Sequence, residues 1–340
     1  MEIKLKVKRF DPEGSAGEAH YQDYTVDLPG TATILDALID VREYQDGTLS
    51  LRCSCRSAIC GSCAMRINGR ARLACKTSIR SIVDEAEEIT VEPGGNLPVI
   101  KDLVVDMAPF WNKVRAVKPW LQPSGPVPER EYIVPNEAMN SLNEVMNCIM
   151  CGACVMDCTV LEVDKSFLGP AALAKAWRFV GDPRDASDLA RLREYSEPSG
   201  MWDCTRCNMC VEVCPKDVKP MDQIMKLRAV GTHEGITDNA GARHTIGFTK
   251  LIGAQPNLLE KLAGVQGGGR LDEFRLPVLT HGLLNFAGQI SDLPVAVRMI
   301  KSGKMPSPFP HKISGAKHVK RIFKSFEHKT EQPPKTVGGH

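Results

Sequence analysis

The sequence predicts an α+β fold in which a small domain of strands and one helix precedes two helical regions. Near the N-terminus apolar residues alternate with polar ones, as at Ile3, Leu5 and Val7, which is typical of half-buried strands. In the middle of the chain they recur at helical spacing instead. All 13 cysteines lie between Cys53 and Cys214. The fold is therefore expected to surround a cysteine-rich centre.

The first domain is predicted from strand and turn signals. Strands are expected at 3–7 and 24–28, followed by a helix that Thr33 caps. A short strand is expected before the first cysteines, and Asn68-Gly69 predicts a hairpin between two further strands. The last strand of the domain is expected at 89–91.

Beyond this domain the pattern predicts helices. We expect them at 142–146, 170–180 and 189–192. Residues 97–121 are interpreted as a connecting segment with a helical middle, marked by Leu103, Val104, Met107 and Phe110. The tail is interpreted as short helices separated by breaks at 267–270, at 292–294 and at the prolines 306, 308 and 310.

Composition limits the classes of function. The chain has 340 residues, 43% hydrophobic and 25% charged, with a net charge of +2, which is ordinary for a soluble multidomain protein. Its start resembles a strand and not a signal peptide, and no stretch approaches the roughly 18 apolar residues of a membrane span. We therefore expect an intracellular protein that reaches a membrane only through partners.

Two cysteine runs with the same spacing, Cys-x2-Cys-x2-Cys-x3-Cys, carry the strongest signal. The first contains Cys148, Cys151, Cys154 and Cys158, and the second contains Cys204, Cys207, Cys210 and Cys214. Two such runs are the signature of a two-cluster ferredoxin, in which the fourth cysteine of each run binds the other cluster. Structural zinc is the weaker alternative, because it has no use for the third and fourth cysteines of each run.

A third cysteine group precedes these runs. Cys55, Cys60 and Cys63, followed at a distance by Cys75, have the plant-type 2Fe-2S spacing. Cys53 is interpreted as a bystander thiol, because four thiolates already complete such a cluster. We therefore predict a β-grasp 2Fe-2S ferredoxin domain, an all-helical two-cluster ferredoxin domain and a helical C-terminal extension, at residues 1–105, 106–235 and 236–340.

Several segments resemble the iron–sulfur subunit of succinate dehydrogenase and fumarate reductase. They are Cys55-Arg56 with Cys60-Gly61-Ser62-Cys63, residues 97–106, residues 169–173, and Cys214-Pro215-Lys216 with Pro220. The resemblance implies an electron-transfer subunit without a substrate site. It would relay electrons from an FAD-containing flavoprotein subunit, through three clusters, to a quinone-linked membrane subunit. It implies a peripheral position on the cytoplasmic side of the inner membrane, and no nucleic-acid partner.

The resemblance also assigns ligands. It places Cys55, Cys60, Cys63 and Cys75 on the 2Fe-2S cluster, and Cys148, Cys151, Cys154 and Cys214 on a middle 4Fe-4S cluster. Cys158, Cys204 and Cys210 would bind the third cluster. Many family members lack a cysteine at the position of Cys207 and hold a 3Fe-4S cluster. We therefore predict a third cluster of the 4Fe-4S type here, with 3Fe-4S as the alternative.

Two further departures concern the electron acceptor. Thr159 to Glu162 and Thr205 stand where quinone-reducing members have a proline, tryptophans and a histidine. The tail resembles heterodisulfide reductase C-type subunits at Arg243-His244, at Gly269-Arg270-Leu271 with Glu273, at Leu293-Pro294 and at 303–306. The first departure implies either that quinone binds elsewhere or that the acceptor belongs to another kind of subunit. The resemblance of the tail favours the second, with a subunit that has cysteine-rich CCG domains in place of the usual membrane anchor.

Other functions remain open at this stage. The chain could serve a heterodisulfide-reductase-like or hydroxy-acid-oxidising complex with a CCG-domain partner, or be a zinc-stabilised interaction module. The basic segment 301–329 fits anionic lipid or an acidic partner, and equally a solvated tail. His244, His281 and His311 lack ligand spacing and are interpreted as ordinary residues.

Overall fold

A five-stranded mixed sheet and one helix form the N-terminal part of the protein in this computed structural model, which describes residues 1–13, 18–83, 88–126, 128–253, 301–302 and 321. The sheet has the strand order β2-β1-β5-β3-β4, with β1 and β5 parallel and the other pairs antiparallel. Its strands are β1 (Glu2–Arg9), β2 (His20–Asp27), β3 (Ala64–Ile67), β4 (Arg70–Leu73) and β5 (Ile89–Glu92). The predicted α+β class and β-grasp domain are confirmed.

The first helix, α1 (Ile34–Tyr44), begins at the predicted cap. Asp36 N–H donates to the Thr33 hydroxyl, and the Asp36 carboxylate accepts from the Thr33 N–H, forming a capping box. Leu35, Leu38 and Val41 are fully buried, so the apolar face of the helix forms part of the domain core.

The hairpin formed by β3 and β4 turns at Asn68-Gly69, as predicted. Both residues have positive φ, +47° and +74°, which the right-handed twist of a two-residue hairpin requires. Ala64 pairs with Leu73, so the two strands end together. Cys63 and Cys75 are thereby carried to the same end of the hairpin.

The expected short strand before Cys53 is wrong. Residues 46–52 form a loop whose backbone groups bond to a turn later in the chain. Ser50 N–H donates to the Asp102 carboxylate at 2.8 Å, and Leu103 N–H donates to the Ser50 carbonyl at 3.2 Å. Buried Arg9 completes this arrangement with ion pairs to Asp46 and Asp102.

The connecting segment also differs from the prediction. Two short strands, β6 (Val99–Lys101) and β7 (Val104–Val105), follow β5, so the expected helical middle does not include Leu103 and Val104. The helix begins at Ala108, where Pro109 suits the first turn and Asp106 accepts the Ala108 N–H at 2.8 Å.

Helices joined by irregular segments make up residues 106–234 in the part that the structure describes, and one further short helix precedes them. The helices are α2 (Ile79–Val83) in the first domain, then α3 (Ala108–Ala116), α4 (Asn136–Asn140), α5 (Asn143–Met146), α6 (Ala153–Met156), α7 (Thr159–Val163), α8 (Pro170–Val180), α9 (Asp188–Tyr195), α10 (Met209–Glu212) and α11 (Pro220–His233). The predicted helix at 142–146 is a single turn, and the predicted helices at 170–180 and 189–192 are confirmed.

Helix α8 is the centre of the helical region. It packs against α3, α5, α9 and α11. Four of its buried residues are alanines, which allow the neighbouring backbones to approach closely, and Leu173, Trp177 and Val180 fill the remaining core. The helix begins at Gly169-Pro170 and ends at Gly181, as expected from the sequence.

The chain divides into two compact units, Met1–Glu234 and Gly235–His340. The three-domain division at 105 and 235 stays a prediction. The second unit contains α12 (Ala240–Gly253). Several predictions for the tail lie outside the described residues. They are the breaks between its helices, His281 and His311, and the basic segment apart from residues 301–302 and 321. No helix in the described ranges is long and apolar enough to cross a membrane.

Candidate cluster-binding sites

The first cysteine loop directs backbone N–H groups at a thiol. The Sγ atom of Cys55 accepts hydrogen bonds from the N–H groups of Ser57 at 3.4 Å, Ile59 at 3.3 Å and Cys60 at 3.2 Å. Donors converging on one sulfur stabilise negative charge there, as in iron–sulfur sites. The loop therefore directs three backbone N–H donors at one sulfur.

The fourth predicted ligand joins this loop from the hairpin. Ala58 N–H donates to Cys75 Sγ at 3.3 Å, and the thiol of Cys63 also contacts Cys75. The loop turns through left-handed backbone conformations at Arg56, Ala58 and Gly61. The structure thus brings all four predicted 2Fe-2S ligands together.

The thiols of this group differ in environment. Hydrogen bonds, the largest from the Ser62 hydroxyl, lower the pKa of Cys60 to about 6. Burial raises the pKa of Cys63 to about 12. A bound metal ion deprotonates a coordinating thiol outright, so burial of Cys63 is compatible with ligation. Cys53 is half-buried two residues before the loop, and its role as a bystander stays a prediction.

A first cavity gathers cysteines from both runs. Its lining contains Cys148, Cys151 and Cys154 of the first run together with Cys214 of the second. Apolar side chains close it, among them Ile149, Ala171, Ala174, Val218 and Pro220. Val218 N–H donates to Cys214 Sγ at 3.3 Å. This is the crossed grouping expected for one cubane cluster.

A second cavity has the reciprocal lining. Cys158 of the first run meets Cys204, Cys207 and Cys210 of the second. Phe167, Pro170, Met221 and Ile224 provide apolar walls. Cys207 is exposed, whereas Cys158 and Cys210 are buried, so the Cys207 side of this cavity faces the surface of the chain.

The two runs have the same backbone conformation around their second cysteine. Met150 and Gly152 on either side of Cys151 have φ of +57° and +81°, and Arg206 and Asn208 on either side of Cys207 have +60° and +69°. Left-handed conformations at three residues other than glycine are costly, about 1–3 kcal/mol each, and occur where a site requires them. Cys207 therefore occupies the position in its run that Cys151 occupies in the first.

Burial governs several of the thiols in the two cavities. Burial raises the pKa of Cys151 to about 11 and that of Cys210 to about 12, and raises the pKa of Cys154 well above its ordinary value. Cys207 differs. Partial burial acts to raise its pKa, but hydrogen bonds, the largest from the Thr159 hydroxyl, bring it below the ordinary value.

The donor sets fit iron–sulfur clusters. Each cavity offers four thiols within apolar walls, and in the first a backbone N–H donates to a sulfur. Among the residues that the structure describes, no three His, Cys, Asp or Glu side chains converge closely enough to hold a single metal ion. Cubane ligands do not have to converge in this way, because the cysteines bind different irons.

The first loop lies directly against the first run. Gly61 has φ of +73°, and a Cβ at this position would lie 2.6 Å from Cys151 Cβ and 2.8 Å from Cys151 Cα. Real side chains do not approach so closely, so a residue with no side chain is required. The backbone of the 2Fe-2S loop therefore touches a predicted ligand of the middle cluster.

A buried cation lies beside the second cavity, and sequence reasoning missed it. Arg228 on α11 donates to the carbonyls of Met201 at 2.6 Å and Cys204 at 2.8 Å, and stacks over Trp202. Arg228 lies four residues after Ile224 on α11, and this helical spacing indicates only that the position is buried. Buried Asp157 was missed too, although its place between two cysteines of the first run was a signal.

Comparison with known proteins identifies both cysteine regions. The family model for a 2Fe-2S iron-sulfur cluster binding domain matches residues 4–112, and that for a 4Fe-4S dicluster domain matches residues 144–218. In the structure of the Mycobacterium smegmatis Sdh1 complex in the apo form, one chain aligns with a TM-score of 0.63 at 30% identity. The alignment covers 70% of this chain and 98% of that one.

Two curated relatives differ in how much of the chain they match. The 8-methylmenaquinol:fumarate reductase iron-sulfur subunit of Wolinella succinogenes is 30% identical over 312 residues, covering 89% of this chain and 91% of the relative. The fumarate reductase iron-sulfur subunit of Mycobacterium tuberculosis is 38% identical over 234 residues, covering 68% and 94%. The chain thus belongs to the iron–sulfur subunits of succinate dehydrogenase and fumarate reductase, electron-transfer subunits of oxidoreductases that carry 2Fe-2S and 4Fe-4S clusters.

Proposed function

We propose that this chain relays electrons between a flavoprotein subunit acting on succinate or fumarate and a quinone-linked membrane subunit. The observation that carries the proposal is the contact of three cysteine groups within one compact unit, with Gly61 against Cys151. When bound, the clusters supply one-electron carriers. The residues of the chain hold them in order, exclude water and donate hydrogen bonds to sulfur. No substrate site is assigned to this chain.

Purification with its partners tests this proposal. The full chain carrying an affinity tag is isolated anaerobically from its own organism. We expect a subunit with covalent flavin to co-purify, and the complex to reduce a dye with succinate. Stoichiometric iron and acid-labile sulfide with a flavoprotein that oxidises only another hydroxy acid would contradict the assignment of succinate and fumarate.

Twelve cysteines are the proposed ligands. The 2Fe-2S set is Cys55, Cys60, Cys63 and Cys75; the middle 4Fe-4S set is Cys148, Cys151, Cys154 and Cys214; the third set is Cys158, Cys204, Cys207 and Cys210. The two cavity linings and the N–H donors to sulfur support these groupings.

The third cluster is proposed to be 4Fe-4S, with Cys207 as its fourth ligand. Three observations support this: Cys207 lines the second cavity, its flanking residues share the conformation found around Cys151, and Thr159 donates to its Sγ at 3.3 Å. Thr159 belongs to the segment 159–162, which stands where quinone-reducing members are expected to have a proline and tryptophans.

Electron paramagnetic resonance (EPR) of the anaerobic complex tests the role of Cys207. An oxidised 4Fe-4S cluster is silent and an oxidised 3Fe-4S cluster is paramagnetic. We expect a silent oxidised sample, and a 3Fe-4S signal in Cys207→Ser. A strong oxidised 3Fe-4S signal in the parent, unchanged in Cys207→Ser, would contradict the proposal.

A subunit with CCG domains is the proposed partner on the membrane side, which would make the chain peripheral on the cytoplasmic side of the inner membrane. The resemblance of the tail to heterodisulfide reductase C-type subunits supports this. The Wolinella relative also matches beyond the first unit, because 89% of 340 residues is about 303 and exceeds the 234 residues of that unit. That match therefore continues into the tail.

A further inference from the structure

One carboxylate joins the first cysteine run to the hairpin of the 2Fe-2S domain. Asp157 lies between Cys154 and Cys158, and its side chain is only 3% exposed. Its Oδ1 accepts from Arg66 Nε at 2.9 Å, and its Oδ2 accepts from the backbone N–H of Ala71 at 2.6 Å. Arg66 lies on β3 and Ala71 on β4.

Further hydrogen bonds fix the same stretch of the first run. Arg66 Nη2 also donates to the Met156 carbonyl at 2.9 Å. Asn96 Nδ2 donates to the carbonyls of Val155 and Cys158, both at 2.9 Å. The carbonyls of two residues before the fourth cysteine, and that of the fourth cysteine itself, are therefore held by side chains from the N-terminal part of the chain.

These hydrogen bonds join two segments that both carry proposed cluster ligands. The hairpin connects Cys63 to Cys75, the last two proposed 2Fe-2S ligands. The residues on either side of Asp157 include Cys154 of the middle set and Cys158 of the third set. Asp157 is thus the point where segments carrying ligands of all three proposed clusters are tied together.

The energetics of a buried ion pair indicate that Asp157 fixes the relative position of the two segments and adds little to the free energy of unfolding. Burying an ion pair costs desolvation that the attraction barely offsets, so such a pair is weak evidence for added stability. Its best-attested use is to fix one arrangement among several. An apolar side chain at this position would leave the Ala71 N–H and the Arg66 Nε–H without the acceptor they have now.

We propose that Asp157 is a positioning residue for electron transfer, which sets the placement of the 2Fe-2S hairpin relative to the first cubane run. The proposal rests on the relay function proposed above. Electron transfer between clusters slows as their separation grows, so displacement of the hairpin lowers the rate. We expect replacement of Asp157 to slow transfer between the 2Fe-2S and middle clusters several-fold, with no change in which clusters are present.

Three variants of the full chain, purified anaerobically in the complex, test this. Asp157→Ala removes both hydrogen bonds. Asp157→Asn keeps an acceptor for Ala71 and loses the charge that pairs with Arg66. Glu212→Gln is the matched control, because Glu212 pairs with Arg70 of the same hairpin at 3.4 Å and both side chains are exposed, 42% and 56%.

Two measurements do not depend on succinate or on a partner. After dithionite reduction, we expect the magnetic interaction between the 2Fe-2S and middle clusters in EPR to weaken in Asp157→Ala, less in Asp157→Asn, and not in Glu212→Gln. Hydrogen exchange at the Ala71 amide should accelerate in the same order. Transfer rates between the clusters, followed after rapid partial reduction, should fall in parallel.

The proposal is overturned if Asp157→Ala retains all clusters with unchanged magnetic interaction and unchanged transfer rate. Should Asp157→Ala lose its clusters, Asp157→Asn decides, and an unchanged interaction and rate in that variant overturn the proposal. Absence of succinate activity with normal magnetic interaction in the parent would instead count against the proposed function, so the two failures are distinguishable.

Discussion

At the scale of single residues, the hydroxyl of Thr159 is expected to set the potential of the third cluster. A hydrogen bond to a ligand sulfur stabilises the more negative, reduced cluster and raises its potential. Thr159→Val removes the bond of 3.3 Å to Cys207 while keeping the shape of the side chain. The potential of the third cluster should fall by up to about 60 mV, equivalent to a tenfold change in a one-electron equilibrium.

An EPR-monitored redox titration of the anaerobic complex measures this shift. The 2Fe-2S and middle clusters serve as internal controls, because Thr159 contacts neither of their ligand sets among the described hydrogen bonds. Equal shifts of all three potentials would point to a general loosening of the fold and contradict a local role of Thr159.

Gly61 and Gly69 allow a matched test of the contact between the loop and the first run. Both have φ near +73°, so the conformational strain of an alanine backbone is the same at either position. Only at Gly61 would the new Cβ meet Cys151, at 2.6 Å, whereas nothing lies within 4 Å at Gly69. We expect Gly61→Ala to destabilise the loaded chain by about 1–3 kcal/mol more than Gly69→Ala.

Thermal bleaching of cluster absorbance measures the difference, which corresponds to several °C for a chain of this size. Equal midpoints for the two variants would mean that the loop can move away from Cys151 at no cost, contrary to the contact described.

At the scale of elements, the helices around the two cavities are too short to be stable alone. Helices α5, α6 and α10 have four residues each, and α4 and α7 have five. Isolated helices need about 12–15 residues for even marginal stability in water. Their conformation therefore depends on cross-links through the cysteines and on packing against the longer α8 and α11.

Removal of the clusters should consequently disorder these helices first. Hydrogen exchange measured by mass spectrometry, before and after anaerobic chelation, should reveal lost protection at 136–163 and 209–212. The capped α1 and strand β1 should stay protected, because their core is apolar and complete without metal. Simultaneous loss of protection in all elements would indicate that the sheet also depends on the clusters.

Elements with local sequence signals were predicted correctly, whereas those that depend on distant contacts were not. Thr33 with Asp36, the Asn68-Gly69 turn and Gly169-Pro170 are local signals, and each predicted its element correctly. The loop at 46–52 was predicted wrongly because its backbone partners, Asp102 and Leu103, lie about 50 residues away. Likewise, Val104 has a strand partner in Lys101 that helical spacing could not reveal.

The candidate sites were predictable in composition and not in conformation. Cysteine spacing predicted which thiols gather, including the crossing of Cys158 and Cys214 between runs. The left-handed backbone at Met150 and Arg206 has no local sequence signal. The position of Asp157 between two cysteines was a signal, but its partner Ala71 is 86 residues away in the sequence and could not be predicted.

At the scale of the whole molecule, we expect the first unit to bind the clusters and the second to dock on the subunit at the membrane side. A chain ending at Glu234 keeps every cysteine and the whole first unit. We expect it to retain the EPR signals of all three clusters and to lose co-purification of the subunit on the membrane side. The full chain, purified in parallel, is the control. Retention of that partner by the shortened chain would contradict a docking role for the tail.

The crossed lining of the two cavities has a consequence for biogenesis. Each cavity borrows one cysteine from the other run, Cys214 in one direction and Cys158 in the other. Binding of a cluster in either cavity would order both cysteine runs and so bring the ligands of the other cavity together. Insertion of the two cubanes should therefore be cooperative. Oxidative loss of one would, by the same coupling, expose the other to damage. A half-loaded chain would therefore be a short-lived intermediate.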